Sequence, residues 1–253
     1  GVFTETAYAL GAQDDLVGVD DSSFFPPQAL SDKPTVGYYR DISAEPLLAL
    51  DPTLIVGNSE TGPPDVVQQL RDAGVPVLLL PDHNDVAGAR DLITTLGVVL
   101  DRESEAADLV ARLDADVASA QALVARATSK PRVLFVLQPP GAPLLVSGEV
   151  SAAGSMIDLA GGEPAFPGFA GYIPMTPEGI VAVNPDVILT TTSSVQELGG
   201  WDALLAQPGI AQTAAAENGR VVAMEDLYLM GFGPRTGQAI ADLARLLHPE
   251  LGS

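Results

Sequence analysis

The chain states one pattern twice. Gly37-Tyr38-Tyr39-Arg40-Asp41-Ile42-Ser43-Ala44-Glu45 leads on to Asp51-Pro52-Thr53-Leu54-Ile55-Val56. Gly171-Tyr172-Ile173-Pro174-Met175-Thr176-Pro177-Glu178 leads on to Asn184-Pro185-Asp186-Val187-Ile188-Leu189. Tyr172 follows Tyr38 by 134 residues, whereas Glu178 and Pro185 follow Glu45 and Pro52 by 133, so one residue is missing from the second copy. A unit of that length is too long for a solenoid repeat and predicts two similar lobes. Two lobes form a cleft, which is where a small ligand is expected.

The 253 residues suffice for two moderate cores, and 47% apolar content is that of a globular protein. No apolar run approaches the roughly eighteen residues that a membrane-spanning helix needs. Gly1 opens the chain without a charged leader, so an export signal is expected to have been removed. The formal charge is −21, with Lys33 and Lys130 the only lysines. That excludes nucleic acids and anionic membranes as partners, since both require basic surface. It also makes each arginine informative, because a cation in a cleft of so acidic a chain is expected to face a specific anion or phenolate. Cysteine is absent, which removes disulfides, thiolate metal sites and a cysteine nucleophile.

Short helices are predicted over 4–10, closed by Gly11, and over 44–50, ended by Asp51-Pro52 because the residue before proline disfavours the helical region. Strands are predicted over 16–19, 54–56 and 75–80, the last a continuous apolar run suited to a parallel sheet covered on both faces. The strand that would pair with 16–19 is expected upstream of Gly1. An amphipathic helix over 65–73 is stopped by Gly74, and another starts at Asp85. The stretch 102–127 has neither glycine nor proline, and Leu109, Leu113, Val117, Ala120 and Val124 recur at spacings of three and four. It is the expected rod between the lobes, stopped by Lys130-Pro131. Beyond it come strands over 133–137, 187–190 and 221–224, helices over 155–159, 201–206 and 236–247, and a Gly/Pro-rich loop through Pro174. Strands alternating with helices give an α/β architecture. The expected layout is a first lobe at 1–101, a linking helix at 102–129 and a second lobe at 130–253, each lobe a mostly parallel sheet flanked by helices.

This pattern resembles the extracytoplasmic binding proteins that bring vitamin B12, siderophores and haem to ABC importers, and the resemblance covers essentially the whole chain. Two stretches are similar to the haem (hemin) branch: Val36-Gly37-Tyr38-Tyr39-Arg40 with Ser43-Ala44-Glu45, and Leu229-Met230-Gly231-Phe232-Gly233-Pro234-Arg235-Thr236. The resemblance implies a monomeric, non-catalytic haem carrier, in the periplasm or lipid-anchored outside the cytoplasmic membrane, that docks on a permease dimer. Ferric-siderophore and cobalamin carriers share the scaffold. A chelatase-type enzyme is disfavoured by the lack of cysteines, of clustered histidines and of a phosphate-binding Gly-x-x-x-x-Gly-Lys loop.

By that resemblance Tyr38 is the axial ligand to haem iron. Ferric iron is a hard cation that suits a phenolate, and tyrosine is one of the residues that hold haem. A free phenol ionises near pH 10, so iron and a neighbouring guanidinium are needed to favour the anion. Arg40, two residues on, points to the same side if the loop is extended, and serves either the phenolate or a haem propionate. Arg235, at the start of the last helix, is by resemblance the arginine that reaches the ligand phenolate across the cleft. Tyr172 is a second axial ligand, a stacking wall or a hydrogen-bond donor. Met175, Met230, Phe232 and Tyr228 are candidates for an apolar slot, where burial of the flat macrocycle supplies most of the affinity. His83 follows the 75–80 strand at the presumed ligand-binding edge and is either a second axial ligand or a solvated loop histidine, and His248 is expected on the surface, capping the last helix. Glu45 and Glu178, each two residues after a Ser or Thr, fit helix first turns on electrostatics alone. By resemblance they are the docking contacts for arginines of the permease.

Overall fold

In the computed structural model, residues 1–174 and 176–252 are described. Met175, one of the slot candidates, lies outside the described residues. The chain divides into two compact units, one made of residues 1–113 with 231–234, the other of residues 114–230 and those from 235 onward.

The first unit starts with α1 (Val2–Ala9), followed by the short helices α2 (Ala29–Asp32) and α3 (Ala44–Leu48). Strand β1 (Ile55–Asn58) pairs in parallel with β2 (Val77–Leu80), from Ile55 opposite Val77 to Asn58 opposite Leu80. A parallel pair needs a crossover, and α4 (Pro64–Asp72) supplies it. Its buried face, Val67 and Leu70, packs on Ile42 and Leu47 to form one core cluster of this unit. The helix stops as its glycine predicts: Gly74 takes φ +88°, and the amides of Gly74 and Val75 donate to the carbonyls of Arg71 and Leu70 at 2.9 and 3.1 Å. Helix α5 (Val86–Val99) is capped by Asp85, whose carboxylate accepts the Gly88 amide at 2.7 Å. Two features differ from expectation. Residues 16–19 form no strand, only a bridge from Val19 to Thr35. Residues 77–80 are partly rather than fully buried, because β2 has a neighbour on one edge only among the described residues.

Helix α6 (Glu103–Val124) carries the chain from the first unit into the second. Of its predicted stripe Leu109, Leu113, Val117 and Ala120 are buried, and Val124, at the helix end, is partly buried. The second unit contains β3 (Arg132–Leu137), β4 (Leu145–Ser147), α7 (Ala152–Leu159), β5 (Glu163–Pro164), β6 (Tyr172–Pro174), α8 (Pro177–Val183), β7 (Val187–Thr191), α9 (Thr192–Glu197), α10 (Trp201–Leu205), α11 (Ala214–Glu217), β8 (Val221–Met224), α12 (Asp226–Met230) and α13 (Thr236–Leu247). Strands β3, β7 and β8 run parallel, and β5 joins the start of β3 in parallel. The stretch read as a loop through Pro174 holds β5 and β6, and with β4 it adds an antiparallel edge, β3–β4–β6. Proline at the ends of β5 and β6, where few ladder bonds are asked of it, hid both from the pattern. Helix α7 starts three residues earlier than predicted, because Ser151 accepts the Gly154 amide at 3.0 Å and caps it there. Helix α13 closes on α6 at Gly237, where a Cβ would stand 2.6 Å from both Asp116 Cβ and the Val117 nitrogen.

The repeat is visible in the backbone. Asp51 and Asn184 both adopt left-handed φ, 48° and 42°, each just before a proline and a strand. Short polar side chains tolerate that conformation better than other non-glycine residues, so the Asx-Pro pair ends a helix and aims a strand in each unit.

His248 is not on the surface. Its amide does cap α13, donating to Ala244 O at 2.9 Å, but its ring is fully buried. The turn Pro249–Leu251 folds over it, and Glu250 is held down by the Thr128 amide and hydroxyl at 3.3 and 3.2 Å. Among the described residues neither ring nitrogen has a hydrogen-bond partner, and Nδ1 stands 3.8 Å from the Glu250 carboxylate. A buried polar group without a partner costs stability that an apolar residue of similar shape does not. His248→Leu is therefore expected to melt no lower than the wild type at pH 8, with a gain of up to about 3 °C. A fall of more than about 5 °C in a thermal melt would refute this.

Candidate functional site

In the first unit, the segments that carry the expected ligands meet at the carboxyl ends of β1 and β2, the edge where parallel sheets take ligands. The 37–42 segment is tied to the loop after β1, with Gly62 N donating to Tyr39 O at 3.0 Å and Ile42 N to Gly62 O at 2.8 Å. That loop is tied in turn to the one after β2, through Ser59 Oγ and Asp82 at 2.5 Å. Residues 39–41 form a 3-10 turn, so the condition of an extended loop is not met. The turn still brings Arg40 to Tyr38, with Nη1 donating to the phenol oxygen at 3.4 Å. Tyr38 as a whole is 43% exposed.

Two neighbours complete this group: Glu60, and Tyr39, which the sequence motif contains without a role. Glu60, twenty residues on, accepts from Arg40 through Nε at 3.1 Å and through Nη2. Tyr39 packs against Tyr38 with ring centroids 4.7 Å apart, and Arg40 lies over the Tyr39 ring at 5.1 Å. Burial pushes the Tyr39 phenol above its ordinary range, while Arg40 pulls in the opposite direction. The signal for Glu60 was present: the polar run Asn58-Ser59-Glu60-Thr61-Gly62 directly follows a buried strand at the ligand edge.

His83 is exposed on the loop after β2. It borders a cavity of about 340 Å³ with Phe3, Leu80, Asp91, Leu92 and Phe232. Phe232, at φ 46°, is thus buried within the first unit, although its sequence neighbours Met230 and Arg235 belong to the second.

In the second unit Tyr172, Met230, Tyr228 and Arg235 are neighbours. The Tyr172 hydroxyl lies 3.6 Å from the Met230 sulfur, and its ring meets Phe135 edge-on with centroids 6.2 Å apart. Arg235 lies over the Tyr228 ring at 4.8 Å and reaches Glu225 at 4.0 Å. The Tyr228 hydroxyl donates to Asp242 at 2.8 Å. Burial, followed by that bond to a carboxylate, raises the Tyr228 phenol above its ordinary range. Glu225 also accepts the amides of Leu227 and Tyr228 at 2.9 and 2.7 Å, which fixes the start of α12.

Glu45 and Glu178 are exposed, each at the second position of its helix. Thr176 caps α8 by accepting the Gly179 amide at 3.2 Å. Ser43 makes no such bond, because the corresponding position in α3 is Pro46, which has no amide hydrogen.

A family model for periplasmic binding proteins matches residues 3–227. The chain belongs to that family. It is 26% identical over 98% of its length to YvrC of Bacillus subtilis, an uncharacterized ABC transporter substrate-binding lipoprotein of which 77% is covered. A vitamin B12-binding protein of Vibrio campbellii is 25% identical over 78% of this chain and 70% of its own. The solved structure of the periplasmic heme-binding protein RhuT from Roseiflexus, in its apo form, superposes with a TM-score of 0.95 at 37% identity, covering 99% of this chain and 96% of that one. As a family member the chain is an extracytoplasmic substrate-binding protein of the ABC-transporter type, with a permease as its partner. No helix among the described residues is long and apolar enough to cross a membrane.

Tyr39 and Tyr228 bind their protons more tightly folded than unfolded. The stability this contributes is complete below about pH 10, the unfolded phenol's pKa, and is lost as the pH rises past it. A spectrophotometric titration is expected to show both phenols lagging behind free tyrosine, with Tyr228→Phe removing one of the late steps. If both ionise with free tyrosine, the packing described around them is wrong.

Proposed function

We propose that this protein captures ferric haem and delivers it to an ABC permease, with the Tyr38 oxygen as axial ligand to the iron. The observation that carries this reading is the exposed phenol with a guanidinium nitrogen 3.4 Å from its oxygen, at the ligand edge of a parallel sheet. An axial tyrosine is a haem ligation mode. A fixed positive charge favours negative charge on the ligating oxygen. The likeness to a heme-binding protein over nearly the whole chain supports the same cargo.

Arg40 serves the phenolate rather than a propionate in this reading. Glu60 occupies Nε and Nη2, which leaves Nη1 for Tyr38. Such outer partners orient a ligating group and tune its basicity. In the second unit Arg235, held between Tyr228 and Glu225, is the candidate cation for a carboxylate of the ligand. Tyr172 and Met230 act as apolar lining rather than as iron ligands, since the Tyr172 hydroxyl faces a thioether. Phe232 lines the cavity beside His83. Glu45 and Glu178 are the docking contacts for the permease, and a single chain serves the permease dimer. The vitamin B12-binding relative favours cobalamin as a second reading.

Titrating ferric haem into the protein is expected to give a high-spin tyrosinate spectrum with an endpoint countable per chain, and Tyr38→Phe is expected to abolish that spectrum. Arg40→Ala and Glu60→Ala should keep the spectrum and weaken haem binding by about tenfold. Glu60→Ala should leave the melting temperature nearly unchanged, because an exposed ion pair contributes at most about 1 kcal/mol. An unchanged spectrum in Tyr38→Phe removes Tyr38 as the ligand. Saturable cobalamin binding without haem binding replaces this reading with the second.

A further inference from the structure

The two copies of the repeat share more than a glutamate. In Ser43-Ala44-Glu45-Pro46-Leu47-Leu48 and Thr176-Pro177-Glu178-Gly179-Ile180-Val181, the residue two after the glutamate is buried and the residue three after it is not. Leu47 and Ile180 are 8% and 0% exposed and anchor their helices in the core of their own unit. Leu48 and Val181 are 38% and 45% exposed. On a helix, positions three apart lie on one face, so each glutamate shares its exposed face with an aliphatic side chain that the fold leaves uncovered. Beside Leu48 the surface is also concave. Ala44, Glu45, Ala49, Val66 and Gln69 line a groove of about 770 Å³ between α3 and α4.

A single exposed aliphatic residue is ordinary on a protein surface. Two at equivalent positions of an internal repeat, each one turn after an exposed carboxylate, call for a shared cause. Neither 43–50 nor 176–183 contains a lysine or arginine, and the chain carries −21 overall. The face therefore presents negative charge next to apolar surface, twice. Its complement is a cation with an apolar neighbour, also presented twice, which two copies of one permease subunit provide.

We propose that each unit offers the permease a two-part patch, Glu45 with Leu48 and Glu178 with Val181, and that the partner element is a basic residue flanked by an aliphatic one. This rests on the reading of Glu45 and Glu178 as docking contacts, and adds the apolar half and the chemistry of the partner loop. The charge steers the encounter and sets its salt dependence, while the aliphatic contact slows release.

The test measures binding of the full chain to the permease dimer in lipid nanodiscs, at low and high salt. Leu48→Asn and Val181→Asn should each weaken binding by about three- to tenfold at both salt concentrations, mainly through faster dissociation. Glu45→Gln and Glu178→Gln should weaken it at low salt and flatten the salt dependence. Melting temperature and haem spectrum serve as folding controls, and Leu48→Ala and Val181→Ala replace any asparagine variant that fails them. Wild-type binding by the aliphatic variants, with loss in the glutamate variants, overturns the two-part patch and leaves the docking reading intact. Loss in the aliphatic variants alone also overturns it. Wild-type binding by all the variants overturns the docking reading itself, and the patch with it.

Discussion

The Arg40 guanidinium is shared between a carboxylate and a phenol, and the chemistry of the first unit's rim depends on that sharing. Its planar fork engages Glu60 through Nε and Nη2 and leaves Nη1 on the Tyr38 oxygen. Glu60 contributes little stability at so exposed a position; its effect is to fix where the positive charge sits. Tyr39, wedged against Tyr38 and lying beneath the guanidinium, limits where both side chains can go. The backbone holds the group from below, since Gly62 bonds both Tyr39 and Ile42 and thereby ties the tyrosine segment to the loop after β1. The phenol and the guanidinium are thus held together by both backbone and side-chain contacts.

The same economy appears in the repeat. In each copy a left-handed Asp or Asn followed by proline ends a helix and starts a strand, while a buried Leu or Ile anchors the helix. The copies thus share a helix anchored by one buried aliphatic residue, and the exposed face of that helix carries the same two side-chain types in both units. What differs between the copies is local: Thr176 caps its helix and Ser43 does not, because proline occupies the position that would have donated.

Much of this was legible in the sequence where a local rule acts alone. Gly74 predicted a helix stop, Asp85 a helix start, and the three-four spacing along α6 its buried stripe, because each follows from backbone sterics or periodicity. The parallel strands were readable as apolar runs. The short antiparallel edge was not, since β5 and β6 are two or three residues long, end in proline and form only because β3 and β4 are there to pair with. At the site, Tyr38 and Arg40 could be read as a pair from their spacing, although a tight turn rather than an extended loop brings them together. Glu60 stands in a polar run at the same edge, but its pairing with Arg40 is not visible in the sequence, because the two lie twenty residues apart and only the folded sheet edge joins them. His248 is hidden from the sequence for the same kind of reason: the turn over it is held by Thr128 on Glu250, a contact between residues 122 apart.

That burial makes the two imidazoles of this chain chemically distinguishable. His83 stands in solvent on a loop, and His248 is sealed beneath the turn that follows α13. An acylating reagent selective for histidine would modify one ring in the native molecule and a second only when the C-terminal turn opens. The stoichiometry of labelling therefore counts excursions of that turn, with no engineered probe and no cysteine to interfere.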